Sequence, residues 1–424
     1  MATSRANALV NFREHQLANG LRVILSEDHT APTVSVSLAY DVGSRDERPG
    51  QSGFAHLFEH MMFQGSENVG KGEHFLLIQN NGGSMNGTTS SERTNYYQTL
   101  PANQLDLALF LEADRMKSLA VTAANFENQR ATVIEERRQN YDNRPYGRSS
   151  EMLPELVFEN FANSHSTIGS MADLEAFTFE QAQAFHHAYY TPNNCVLALV
   201  GDVDPEHALA RIEHYFGDIP AGPRPAAPNV DEPEPIDERR STFIDPLARL
   251  ARVDIAYPAP PANSSDFQAL QLLTMTLSGG QSSRLYQEIV LKQEALSAGA
   301  FAQERRGPSM LVVAAFGPDA AQAEQALLRE IERVRTEPVD VWELEKAKLT
   351  MRRQICQQLL STVTRANLLA IYAVFYQDPD FINRRLDLFD QVTASDLLRV
   401  AQRYLSPERR RTLLTLPPAQ EKAA

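Results

Sequence analysis

Two cysteines in 424 residues, Cys195 and Cys356, make no disulfide framework and no cysteine-built metal site. One bridge between them stays open at this level. Any metal must be held by His, Asp or Glu. No apolar run reaches the ~18 residues that a membrane-spanning helix requires, so no membrane partner is expected. Basic charge is also short: 40 Lys and Arg face 54 Asp and Glu, a formal net charge of −14. Nucleic-acid binding calls for basic patches that neutralise phosphates, so that class is set aside. The opening stretch MATSRANALVNFREHQLANG has no apolar signal-type core. As given, the chain reads as cytoplasmic, or periplasmic had a signal been removed.

Hydrophobic residues make up 43% and charged residues 22%, as in a soluble globular protein. The length exceeds one ordinary core, so two or more domains are expected. The stretch DIPAGPRPAAPNVDEPEPIDERR, residues 218–240, is rich in proline, alanine and acid and has no periodicity. Such composition marks a linker. It divides the chain into 1–217 and 241–424. The halves resemble each other. LEAFTFEQAQAFHHAYYTPNNCVLALV in the first and LFDQVTASDLLRVAQRYLSPERRRTLLTL in the second both run from a threonine through an amphipathic helix to Pro and an apolar strand. Pro192 and Pro407 lie 215 residues apart, and Tyr40 and Tyr257, each on a strand followed by a loop, lie 217 apart. Two matches at nearly one offset predict a duplicated domain.

Alternation in LRVILSED and TVSVSLAYDV predicts strands, with HTAP as a turn that joins them in a hairpin. Helical periodicity follows at roughly 52–63, 71–82, 103–117, 124–140, 149–160 and 178–188, and in the second half at roughly 264–278, 282–295, 318–336, 339–359, 362–376 and 393–404. The expected fold class is α+β: two duplicated domains, each a mostly antiparallel sheet packed with helices.

The chemistry begins in GFAHLFEHMMFQGS, residues 53–66. On a helix, residues three and four apart share a face, so His56, Glu59 and His60 project together. Two imidazoles on adjacent turns can bind one zinc, with the carboxylate beside it, in the inverted H-x-x-E-H pattern. The same helix carries Phe54, Leu57, Phe58, Met61 and Met62, so the polar trio is expected to be largely buried and in need of partners. Catalytic zinc usually takes three protein ligands and keeps one position open. FENQRATVIEERRQNYDNRPYG, residues 126–147, supplies the best third candidate. Its apolar stripe is Phe126, Val133, Ile134 and the stems of Arg130 and Arg137. Glu136 lies at the edge of that stripe, while Glu135 points nearer the opposite face. Gln129, on the same side as Glu136, is a candidate hydrogen-bond partner beside the metal.

These residues resemble the M16 (pitrilysin-like, inverzincin) metallopeptidases, and within them the M16B branch that includes mitochondrial processing peptidase and bacterial relatives. The likeness rests on GFAHLFEHMMFQGS, on the 75 residues between His60 and Glu136, and on NGGSMNGTTSSERTNYYQTLP, PNNCVLALVGDVDP and LSGGQSSRLYQEI. It spans nearly the whole chain. The resemblance implies a zinc endopeptidase acting on peptides, with His56, His60 and Glu136 as zinc ligands. Glu59 would be the general base that takes a proton from the attacking water and passes it to the leaving amine. Asn86, Gly87 and Thr88 would bind the peptide as an added edge strand.

Two departures from the family pattern stand out. The family usually has a glutamate seven residues before the third ligand, where this chain has Gln129. The family also places an Arg and a Tyr seven residues apart in its second domain, where a gapless alignment gives Val290 and Ser297. Neither residue can replace them, and losing an oxyanion donor costs ~100- to 1000-fold in rate. The expectation is therefore a heterodimer with a homologous subunit that lacks the zinc motif and supplies the Arg/Tyr pair. The alternatives are a dedicated precursor-processing peptidase or a non-catalytic assembly subunit.

Overall fold

The structure is a computed structural model that describes residues 9–419. Among the described residues, eleven strands form two sheets: β1 (Arg13–Gln16), β2 (Arg22–Glu27), β3 (Thr33–Tyr40), β4 (Ser84–Thr89), β5 (Thr94–Pro101) and β6 (Cys195–Gly201) in the first, β7 (Arg239–Ile244), β8 (Ala251–Ala259), β9 (Ser297–Gln303), β10 (Ser309–Gly317) and β11 (Arg411–Leu416) in the second. The orders are β1-β2-β6-β3-β5-β4 and β7-β11-β8-β10-β9. Only β2 with β6 and β7 with β11 pair in parallel; the other pairs are antiparallel. Strand for strand, β2-β6-β3-β5-β4 repeats as β7-β11-β8-β10-β9. The fold is thus α+β, and its two sheets share one topology.

The contacts divide the chain into two units that are not continuous in sequence. One comprises residues up to Glu135, Ser166–Pro228 and Cys356–Arg385; the other comprises Glu136–His165, Asn229–Ile355 and the chain from Leu386 onward. This differs from the linear division at 218–240. Each half lends a helical segment to the other unit, at nearly the offset of the internal repeat. In the first unit the helix Thr362–Phe375 packs on β3 and β6, burying Ala366, Leu369, Ala370 and Ala373. In the second, Leu153, Val157 and Phe158 join Ala256, Met310, Val312 and Leu413 in one core. A linear boundary follows composition, whereas the observed one follows which apolar helix face covers which sheet. Residues 219–236 of the expected linker carry no regular element.

The hairpin expected between β2 and β3 is not formed. β6 lies between them, parallel to β2 and antiparallel to β3. Strand β6 is buried at all seven positions, and so apolar a strand belongs inside a sheet rather than at its edge. The helix expected over 282–295 is cut to a short stretch ending in a π-helical turn, Tyr286–Val290. Gln293 then takes a positive φ of 60°, as the chain turns back into β9. The helix Pro205–Phe216 was missed, although Asp204 accepts from the His207 amide and Pro205 sits in the first turn. That Asp-Pro pair is a legible helix start.

Five helices matter for the site and its support: α1 (Phe54–Met61), α2 (Glu73–Asn80), α3 (Leu105–Ser118), α4 (Ala123–Arg137) and α5 (Gly147–Val157).

Candidate active site

Helix α1 is short, and its two faces are sharply divided. Phe54, Leu57, Phe58 and Met61 recur at helical spacing and are all buried. Phe54 stacks on Phe177 with ring centroids 3.8 Å apart, and Phe58 lies 5.6 Å from Phe185. The start of the helix is fixed twice. Gly53 sits at φ 103°, where a Cβ would come 2.7 Å from the Ile168 carbonyl oxygen. The buried Glu47 carboxylate accepts from the Gly53 and Ala55 amides at 2.8 and 2.7 Å, which satisfies amides the helix leaves unpaired and complements its dipole. With the apolar face locked, the other face presents His56, Glu59 and His60.

The third carboxylate comes from α4. Phe126, Val133 and Arg137 are buried, Glu135 is exposed, and Glu136 is half-buried. The boundary between the two units falls inside the last turn of α4, so Glu136 is held by the same helix as Val133. One nitrogen each of His56 and His60 and one oxygen of Glu136 lie within 4.8 Å of one another. The imidazole centroids are 4.9 Å apart at 76°. His56, Glu59 and His60 are half-buried rather than largely buried, and Glu136 is half-buried as well. Two nitrogens and one carboxylate oxygen, each needing to come ~2.0–2.2 Å from one ion, match the donor set of a catalytic zinc site with an open position.

Gln129 does not act as expected. It is buried, but its amide donates to Asn128 Oδ1 at 2.8 Å and makes no hydrogen bond to the trio among the described residues. The adjacent asparagine captures the amide, and no charge draws it toward Glu136. Asn140 Nδ2 donates to Glu136 Oε1 at 3.4 Å, and the residue after Glu136 is anchored in turn. Arg137 donates to both oxygens of Glu151 on α5, at 2.6 and 2.9 Å, with both side chains nearly inaccessible. Immediately after it the helix widens into a π-helical turn, Arg138–Asp142, a device frequent at functional sites.

Strand β4 is the edge of its sheet and packs against α1. Gly87 pairs with Tyr96. A Cβ at Gly87 would stand 3.1 Å from Glu59 Cγ, 3.2 Å from Tyr96 Cδ1 and 3.4 Å from Phe63 Cε2. Glycine thus lets the strand backbone come up against Glu59. The Tyr96 hydroxyl donates to the Phe58 carbonyl on α1 at 3.2 Å. Behind Tyr96, the Arg115 guanidinium lies 4.4 Å from its ring centre and donates to Glu112, both on α3 and fully buried. Asn86 is exposed and its Oδ1 accepts from the Gly87 amide at 2.9 Å; Thr88 donates to Asn95 Oδ1 at 2.6 Å. His186 lies against Phe58 with ring centroids 5.7 Å apart, and burial pushes its imidazole down to about 4. Val290 closes the π-helical turn before β9 and Ser297 opens β9.

The family model described as Insulinase (Peptidase family M16) matches residues 22–170, and that described as Peptidase M16 inactive domain matches 176–351. The chain belongs to the M16 peptidase family. Its similarity to the zinc protease PqqE of Helicobacter pylori is 29% identity over 410 residues, 95% of this chain and 92% of that protein. Among solved structures, a protease from Helicobacter pylori superposes with a TM-score of 0.91 at 28% identity, covering 96% of this chain and all of that one. The first half of the periplasmic protease PqqL from Escherichia coli gives 0.78 at 21% identity, with 96% and 92% covered, which speaks for the fold alone. The M16 model over the first half contains His56, His60 and Glu136. The inactive-domain model covers most of the second half, where no cluster of potential metal ligands occurs among the described residues.

Sequence reasoning missed Glu47 and the Arg137–Glu151 pair. Glu47 precedes a glycine-started helix, but nothing in its spacing marks a cap.

Proposed function

We propose that this chain is the metal-carrying subunit of a zinc-dependent endopeptidase that hydrolyses unfolded or short peptides. The observation that carries the reading is the convergence of His56, His60 and Glu136 ligand atoms within 4.8 Å, with Glu59 on the same helix face. His56, His60 and Glu136 would hold zinc. When bound, the ion supplies a Lewis acid that polarises the scissile carbonyl and acidifies water. Glu59, adjacent to His60, serves as general base: it takes the proton of the attacking water and delivers it to the leaving amine. The close approach of Gly87 to Glu59 brings the free edge of β4 past the base. A peptide added along that edge gains main-chain hydrogen bonds that tolerate many sequences.

The chain offers Val290 and Ser297 where an arginine and a tyrosine would assist the oxyanion. A homologous subunit without the zinc motif is therefore proposed to complete the site, the pair enclosing a chamber that excludes folded proteins.

The test compares cleavage of a quenched unstructured peptide by this chain alone and by this chain with its genomic neighbour, Glu59→Gln serving as control. Activity only in the mixture, abolished by Glu59→Gln, supports the split site. Equal activity alone removes the need for a partner. No cleavage in either arm, with zinc bound, refutes the general peptidase.

A further inference from the structure

Arg93 is the last residue of the turn between β4 and β5. Its Nη1 donates to the Thr88 carbonyl at 2.8 Å and to Thr88 Oγ1 at 2.6 Å. Thr88 Oγ1 in turn donates to Asn95, so the guanidinium is held in one place over the hairpin. The strand residue before Thr88 is Gly87, where a Cβ would stand 3.1 Å from Glu59 Cγ. Arg93 therefore stands beside the catalytic carboxylate, one residue along the edge strand.

Among the described residues, Arg93 forms no ion pair. Glu92, next to it in sequence, pairs with Arg45 at 2.7 Å. Burial, the main cause, holds the Arg93 pKa down to about 10, while the charge of Glu59 acts in the opposite direction. Half-buried and tethered through one nitrogen, the planar guanidinium still has donors for a carboxylate.

We propose that Arg93 recognises a carboxylate of the peptide bound along β4, giving the enzyme a preference for an acidic group close to the scissile bond. This rests on the reading of β4 as the peptide-binding edge. The carboxylate comes from an Asp or Glu side chain or from the C-terminus of a short peptide, and the experiment separates the two.

The measurement is equilibrium binding by fluorescence anisotropy, on the zinc-loaded Glu59→Gln chain so that no turnover intervenes. Four labelled ten-residue unstructured peptides are compared: one glutamate or one glutamine at the centre, each with a free or an amidated C-terminus. The same set is measured on Glu59→Gln/Arg93→Gln and Glu59→Gln/Arg93→Lys. The expected result is a roughly 10- to 100-fold preference for one carboxylate, lost in the Gln variant and largely kept in the Lys variant. Preference for the glutamate peptide assigns a side-chain subsite; preference for the free acid assigns the C-terminus. Equal affinity for all four peptides, no binding at all, or a preference untouched by Arg93→Gln each overturns the proposal. If Arg93→Gln fails to fold, the preference of the parent chain and its retention in the Lys variant decide. Carboxylate-selective binding by a chain that never cleaves would leave this inference standing and remove the peptidase reading.

Discussion

Glu151→Gln should weaken metal binding without touching a ligand. In the folded chain Arg137 gives both oxygens of Glu151 a hydrogen bond, at 2.6 and 2.9 Å, and the side chains are 3% and 9% exposed. Glutamine keeps the shape but removes the charge. A buried guanidinium is then left one residue from Glu136. Breaking such a pair costs about 3–5 kcal/mol. Asp142, 3.7 Å away and 30% exposed, remains as a partial counter-charge, so the low end, about 3 kcal/mol, is expected. The effect on the site is separate. The pair anchors the last turn of α4, and groups that orient a ligand are typically worth ~10- to 100-fold in metal affinity. The assay is chelator competition for zinc, read beside a urea denaturation curve. A double change, Arg137→Leu with Glu151→Leu, removes both charges and should recover most of the stability. It should not recover zinc affinity, because the turn is no longer anchored. Zinc affinity within about twofold of the parent in Glu151→Gln would refute the reasoning and leave the pair a structural tie only.

Residues 1–217 expressed alone should not fold: the face of β3 and β6 loses the helix Thr362–Phe375, while residues 136–165 lose the sheet they pack on. Soluble yield and circular dichroism check this, and a cooperative melt of the fragment would contradict it. Acid should destabilise the chain through His74. Burial, aided by the Arg115 charge, pushes its imidazole from 6.5 down to about 3. Between those values the unfolded chain binds a proton that the folded chain refuses. Stability is therefore intact above pH 6.5 and falls as pH drops through the window, by about 1.4 kcal/mol per unit at most from this group. His74→Gln, neutral throughout, should flatten that part of the slope in urea midpoints taken between pH 7 and 5; an unchanged slope would refute it.

The duplicated α+β plan was legible because each half repeats its pattern of helix, proline and apolar strand, and the sheets share one topology. The trio was legible because helical spacing alone places His56, Glu59 and His60 on one face, and because Val133 and Arg137 fix which side of α4 is buried. What sequence did not carry was non-local. The insertion of β6 between β2 and β3 depends on a strand more than 150 residues away. The exchange of helical segments between units follows from apolar faces, which composition does not order. Gln129 was misjudged because a neutral amide takes the nearest acceptor, here Asn128, whereas the Arg137–Glu151 pair spans two helices and has no signature in spacing.

The central claim is that His56, His60 and Glu136 form one zinc site. Its most direct test is titration of zinc into the metal-stripped chain, with Glu136→Gln alongside. The account predicts one tight equivalent per chain and a loss of at least ~100-fold in affinity when Glu136 loses its charge. No stoichiometric binding, or equal affinity in Glu136→Gln, would contradict it.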